Sequence, residues 1–206
     1  HATIDLIASA TEERLHSMTF DRTLRRWAVP LAAVVLLGLS TTMVQAYVVS
    51  GPSMEGTLVM GDHILVNKLA RSPQFGDVVA FRYPVDPDEV FIKRVIGMPG
   101  DRIRIEDKQV IRNGKPLEEA YARHVTSYID SYRDNFPSEP QVTLPDTGEQ
   151  MLKNSLDQGD IVVPPGMFFV LGDNRDASLD SRFWGFVPRE NIIGRPWLVY
   201  FRRLRD

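Results

Sequence analysis

Apolar and polar residues are distributed along this chain in two distinct patterns. From Trp27 to Val49 the chain runs for 23 residues without a charge. As a helix such a run covers roughly 35 Å, enough for a hydrocarbon layer of about 30 Å with some tilt. Pro30 falls in the first turn, where a missing N–H does little harm. Trp27 and Tyr47 stand near the two ends, where interfacial aromatics collect. Arg22, Arg25 and Arg26 precede the run, so the positive-inside rule puts the N-terminus in the cytoplasm. The pattern therefore predicts a cytoplasmic tail over 1–26, one transmembrane signal anchor over 27–49, and an extracytoplasmic domain over 50–206. Val44-Gln45-Ala46 resembles a small-x-small cleavage site, which would make the run a removable signal. The length of the run, and a 26-residue leader holding four acids, favour an uncleaved anchor.

Beyond Val49 the period shortens. Ile64–Lys68, Val78–Tyr83, Phe91–Ile96, Arg102–Glu106, Gln109–Arg112, Met167–Leu171 and Trp197–Phe201 read as strands, with Asn113-Gly114 closing a tight turn. No long amphipathic helix is evident outside the membrane run. The predicted fold is mainly β, a small barrel or packed sheets behind a single N-terminal transmembrane helix. Residues 116–165 are polar, hold six of the 14 prolines and keep no steady period, so they are expected to form a partly irregular insertion.

Composition removes several classes of function. With no cysteine there is no disulfide framework, thiolate metal site or cysteine nucleophile. A net charge of −3 argues against a nucleic-acid partner, which demands a broad basic face. His1, His16, His63 and His124 show no metal-ligand spacing, and each reads as a surface or structural residue. The run Asp173–Asp180 imitates a calcium loop, but Arg175 stands where a ligand is needed and the glycine is missing. Neither a metal nor a cofactor is implied.

Three segments remain as candidate chemistry. In Ser50-Gly-Pro-Ser-Met-Glu-Gly-Thr57, glycine and proline build a sharp turn that presents the Ser53 hydroxyl, which by itself is an ordinary structural loop. In Phe91-Ile-Lys-Arg-Val-Ile96, Lys93 and Arg94 point to opposite faces of a strand, Lys93 with Phe91 and Val95. The pattern does not decide which cation is buried, and both could be snorkelling or salt-bridged. Chemically they differ: a desolvated lysine loses its proton and becomes a base, whereas arginine does not. In Gly172-Asp-Asn-Arg-Asp-Ala-Ser-Leu-Asp-Ser-Arg182, the pairs Asp180 with Arg182 or Asp173 with Arg175 could brace a site, and Ser178 could orient an amine.

Taken in this order, the segments resemble the type I signal peptidases, membrane-anchored serine proteases that remove signal peptides from exported proteins. The matching boxes are Gly51-Pro-Ser-Met-Glu-Gly-Thr-Leu58, Gly76-Asp-Val-Val-Ala-Phe-Arg-Tyr-Pro84, Lys93-Arg-Val-Ile-Gly-Met-Pro-Gly-Asp101 and Gly172–Arg182. The resemblance implies a β-rich catalytic domain of signal-peptidase type, with Ser53 as nucleophile, Lys93 as general base and Ser178 as the hydroxyl that orients the lysine. Asp180 and Arg182 are implied as supporting residues, and Gly51, Asp173, Arg175 and Arg94 are the other supporting candidates in the boxes. Two positions depart from the family pattern. Gly56 replaces a frequent proline, which would loosen the loop. Gly51 stands where many members carry a serine that donates to the oxyanion, leaving the second donor open. The implied partners are exported preproteins, the lipid bilayer and a nearby secretion translocon, at the bacterial cytoplasmic membrane. The alternatives are a maturation peptidase for one pilin-like or conjugation precursor, and a silent membrane-anchored binding module.

Overall fold

Alternation in the sequence becomes antiparallel strands. The computed structural model describes Ala28, Pro30, Gly38 and Met43–Arg202. The chain divides into two units, His1–Met43 and Val44–Asp206, and the second carries every strand among the described residues. Its strands are β1 (Val44–Val48), β2 (His63–Asn67), β3 (Val78–Arg82), β4 (Val90–Gly97), β5 (Arg102–Glu106) and β6 (Gln109–Arg112). After them come β7 (Lys115–Pro116), β8 (Leu156–Asp157), β9 (Asp160–Val162), β10 (Met167–Leu171), β11 (Val187–Pro188) and β12 (Ile192–Phe201). They form a seven-stranded sheet in the order β1-β2-β12-β3-β4-β10-β11 and a five-stranded sheet in the order β7-β6-β5-β9-β8. The mainly β expectation and each of the seven expected strands are met, with shifts at their ends. The last one starts five residues earlier than the pattern indicates, because Ile192 and Gly194 already pair with β3. The Asn113-Gly114 turn takes positive φ at both residues, 53° and 75°, as a two-residue hairpin requires.

One boundary is corrected by β1. The membrane run is predicted to continue as helix through Val49, but Val44–Val48 is a strand. It pairs antiparallel with β2, from Val44 opposite Asn67 to Val48 opposite His63. A helix there would leave the β2 edge without a partner. The ladder satisfies both backbones, and Val44, Val48 and Tyr47 suit a pleated surface. The remainder of the predicted span, and the predicted tail over 1–26, lie outside the described residues apart from a few helical positions. Among the described residues no helix is long and apolar enough to cross a membrane.

The region 116–165 is also better ordered than its pattern suggests. It contains the helix α1 (Asp146–Ser155) together with β8 and β9. Asp146 and Glu149 open α1 and Lys153 closes it, in the sense that suits the helix dipole. Tyr132, Phe136, Leu144, Met151 and Ile161 are buried with Ile96 of β4, Ile103 of β5 and Phe169 of β10. Tyr132, Phe136 and Leu144 come from irregular chain, Met151 from α1 and Ile161 from β9. They show no period, yet together they join the small sheet to the large one. A second cluster gathers Phe81, Val95, Val170 and Trp184, the last in α2 (Ser181–Trp184). A third puts Val49, Met54 and Leu58 against Ile64, Val66 and Ala80, and so anchors the loop that carries Ser53.

Candidate active site

Ser53 sits in a single 3₁₀ turn, Pro52–Met54, entered from extended backbone at Gly51 (φ −138°). Met54 is buried to 1% exposure and acts as the plug that fixes the turn, while Pro52 presets its φ. Gly56 follows at φ 110°, and a Cβ there would stand 2.7 Å from Arg123 Cδ. Glycine at this position therefore fits a left-handed conformation under a close neighbour, rather than loosening the loop. Gly51 has open space around it, with nothing within 4 Å of a Cβ position.

Lys93 comes from β4, whose pleat turns it away from Arg94. Lys93 is 4% exposed, and its Nζ lies 5.2 Å from the centroid of the Phe91 ring. Val95, next on the same face, is fully buried. The Nζ donates a 2.7 Å hydrogen bond to Ser53 Oγ. Burial lowers the Lys93 pKa to about 8, because the ammonium has lost water that its surroundings only partly replace. Asp180 and Asp173 pull the value back up, and Arg182 pushes it further down.

The loop after β10 closes the site from the other side. Ser53 O accepts the Asn174 N–H at 3.0 Å, and Asn174 Nδ2 reaches Pro52 O at 3.3 Å. Gly172 makes this approach possible: a Cβ there would lie 2.2 Å from Ser178 Oγ and 2.5 Å from Ser53 O. Gly172→Ala is expected to displace the turn and lower kcat by on the order of 10²-fold, since misplacement by about 1 Å is enough. Circular dichroism should be unchanged. Wild-type kcat in a folded variant would remove the positioning role.

The charged residues form pairs that differ in part from those expected. Arg182 and Asp180 do pair, through Nε and Nη2 to the two carboxylate oxygens, each at 2.8 Å. Burial works against the Asp180 carboxylate, but Arg182 outweighs it and holds the pKa below the usual carboxylate value. Asp173 and Arg175 do not pair with each other. Arg94 grips Asp173 through Nε and Nη2 at 2.7 and 2.6 Å, and Arg175 takes Glu119 at 2.8 and 2.6 Å. Two-residue spacing was the whole basis of the Asp173–Arg175 pairing, and the 3₁₀ turn Arg175–Ala177 sends the two side chains to different partners. Ser178 is buried near Gly172, where its hydroxyl helps keep the Asp180 carboxylate ionised, while the Lys93 ammonium donates to Ser53.

Other contributors escaped the sequence reading. Thr57 Oγ1 donates to Asp173, Arg94 Nη1 donates to Gly76 O at 2.7 Å, and the Arg94 guanidinium stacks 3.9 Å from the centroid of Tyr121. Arg123 N–H donates to Asp173 O at 2.7 Å and Arg175 N–H to Arg123 O at 2.9 Å, tying the 116–165 region to the site loop. Thr57, Gly76 and Asn174 lie in the segments that resemble the family, with no role implied for them. Glu119, Tyr121 and Arg123 carried no local signal.

With this geometry in place the comparisons decide the family. The profile described as signal peptidase, peptidase S26, matches residues 23–201. The chain belongs to the signal peptidase family. The signal peptidase I of Aquifex aeolicus is 35% identical, covering 86% of this chain and 84% of the relative. That of Bacillus caldolyticus is 38% identical, covering 83% and 87%. The signal peptidase I of Pseudomonas fluorescens is 34% identical, covering 83% and 69%. Membership of the S26 family makes the chain a serine endopeptidase of signal-peptide processing. Ser53 and Lys93 both line a groove of about 300 Å³, together with Tyr47 and Val48 from β1 and Phe91 and Ile92 from β4.

Proposed function

We propose that Ser53 and Lys93 form the catalytic dyad of a signal peptidase that cleaves exported preproteins after small-x-small motifs. The observation that carries this reading is the 2.7 Å contact from a 4%-exposed lysine to the serine hydroxyl. Neutral Lys93 takes the Ser53 proton as Oγ attacks the peptide carbonyl carbon. The resulting ammonium returns that proton to the leaving amine as the C–N bond breaks and an acyl ester remains on Ser53. Water then attacks the ester with Lys93 again as base, and Oγ regains its proton. The oxyanion falls to backbone donors, the Ser53 N–H first, because the opening amides of a turn lack internal partners. Gly51 carries no hydroxyl to assist, and the second donor stays open.

The groove suits an extended chain. β4 pairs with β10 only from Arg94 onward, and β1 is an edge strand, so Val90–Lys93 and the outer edge of β1 both offer free backbone groups. A peptide lying between them meets Ile92 and Leu179 at the walls, next to Ser53. The apolar residues before Val44 supply the membrane anchor, with the N-terminus cytoplasmic and the domain on the extracytoplasmic side, near the translocon. A nucleophile ten residues after Met43 then stays close to the bilayer surface, where a translocating signal peptide ends. The dedicated-precursor alternative shares this chemistry and differs only in substrate range.

Incubation of the full chain in detergent with a preprotein, and with one altered at the small-x-small site, tests the reading. Cleavage of the first alone is expected. Cleavage of neither, or of both equally, would overturn it. The pH profile gives a second check. Only the neutral lysine is a base, so kcat/KM should rise with pH through an apparent value near 8 and then level. A rise that continues past the ordinary lysine pKa of 10.5 would show a solvated amine instead.

A further inference from the structure

A second cavity, of about 350 Å³, adjoins the groove and has different chemistry. Its walls are Gln45, Lys68, Arg71, Arg82 and Asp88, and it shares Tyr47 and Val90 with the groove at Ser53. Three cations here face one carboxylate. Elsewhere this chain neutralises its clustered arginines, as with Arg94–Asp173, Arg175–Glu119 and Arg182–Asp180. Lys68, Arg71 and Arg82 form no ion pair with any described residue. Arg71 Nε instead donates to Lys68 O at 3.0 Å, which folds the two basic residues into one turn. Three basic residues that form no ion pair with a described residue line this one cavity, which suits a compact multivalent oxyanion, and phosphate fits that description.

The location narrows the source of the phosphate. Val44, the first residue of β1, lies opposite Asn67, immediately before Lys68. The cavity is therefore built at the point where the apolar run of the chain enters the sheet. Leu69, between Lys68 and Arg71, is 68% exposed. An apolar side chain held out between cations is the arrangement of a segment that meets a bilayer interface.

We propose that this cavity binds the phosphate of an anionic phospholipid headgroup, with Lys68, Arg71 and Arg82 as its ligands. The proposal rests on the reading that the residues before Val44 anchor the chain in a membrane. It assigns the cavity a consequence for the groove. A headgroup held there fixes the Tyr47–Val90 end of the groove at the lipid surface, where a peptide leaving the bilayer would enter.

The test uses lipid retention, which does not depend on cleavage. The full chain in neutral detergent is titrated with phosphatidylglycerol, with phosphatidylcholine or with inorganic phosphate, and bound species are counted by native mass spectrometry. Wild type should retain phosphatidylglycerol at least about tenfold better than Lys68→Gln/Arg71→Gln/Arg82→Gln, while phosphatidylcholine retention is the same in both. Asp88→Asn removes the opposing carboxylate and should raise phosphatidylglycerol retention, an effect that loss of folding does not imitate. Displacement of phosphatidylglycerol by millimolar phosphate would support recognition through the phosphate group. Phosphate bound without phosphatidylglycerol would overturn the lipid source in favour of a free anion. Equal phosphatidylglycerol retention by wild type and the triple variant would overturn the site. So would a triple variant whose only change is a higher KM for peptide in lipid-free detergent, because the cavity would then belong to the substrate. If the wild type retains lipid but cleaves no preprotein, the peptidase reading fails and the lipid site stands.

Discussion

Replacing Lys93 by methionine is expected to abolish cleavage and, at pH 7, to make the protein more stable. Both effects follow from one feature, an amine held at 4% exposure. At neutral pH the lysine is still mostly protonated, since its folded pKa is about 8 against an ordinary 10.5. That difference corresponds to about 3 kcal/mol of folding free energy lost to charge burial. Methionine fills a similar volume with no charge to desolvate. The sign with pH follows. Between pH 8 and 10.5 the folded protein has released the proton and the unfolded chain has not, so wild-type stability rises across that window. The methionine variant lacks this rise, and its advantage should vanish near pH 10.5. Urea denaturation at pH 7 and pH 10.5 measures it. Ser53→Ala should remove activity by at least about 10⁴-fold, because a lost nucleophile disables the whole unit. Its stability change should be small. Lys93→Arg should be inactive as well, since arginine keeps its proton. Residual cleavage by the methionine variant, or its destabilisation at pH 7, would remove Lys93 from the base role.

Why Ser53 and Lys93 were legible in the sequence, and Arg123 was not, has a physical answer. A strand period of two puts Lys93 with Phe91 and Val95 but Arg94 with Ile92 and Ile96, so the pattern left the buried cation open, and only the chemistry of a titratable amine singled out Lys93. Ser53 stands in a Gly-Pro turn whose local geometry is set by those same residues. The 40-position separation of the two is bridged by sheet topology, and only the family resemblance brings them together in advance. Asp173 shows the limit. Its nearest arginine in sequence is Arg175, yet the guanidinium that reaches it belongs to Arg94 on β4, 79 residues away. The end of the apolar run differs from its pattern for a related reason. Val44-Gln-Ala-Tyr-Val48 is apolar enough to prolong a membrane helix, and only the free edge of β2 draws it into a sheet. In the 116–165 region, the anchors Tyr132 and Phe136 follow no period because no regular element carries them. Tertiary packing, together with local hydrogen bonds from Asp130 and Asp134, gives that segment its order.

The largest loss of stability is expected from Arg182→Ala. Asp180 is fully buried, and its two oxygens are held by Arg182 Nε and Nη2 at 2.8 Å each. Arg182 Nη2 also donates to Arg175 O at 2.7 Å, and Tyr132 Oη donates to Arg182 O at 2.6 Å. Removing the guanidinium strands a carboxylate without water, a change that costs about 3–5 kcal/mol in buried pairs. That is a large part of the 5–15 kcal/mol by which domains of this size are usually stable. The pH dependence should reverse as well. In the wild type the Asp180 pKa is depressed, so its contribution is present above the unfolded value and is lost as pH falls through the folded one. Without Arg182 only the Ser178 hydroxyl and the Gly172 N–H still oppose burial, so that pKa rises and the variant should be less unstable at pH 5.5 than at pH 8. Asp180→Leu/Arg182→Met, which removes both charges and restores volume, should recover much of the stability. It should not recover activity. Asp180 Oδ2 also accepts the Gly172 N–H at 3.1 Å, and Gly172 is the residue on which Ser53 O and Ser178 Oγ close. A double variant that regains both stability and full kcat would reduce the pair to a structural ornament of the loop. Regained stability with kcat still low would show that the pair holds the site in register.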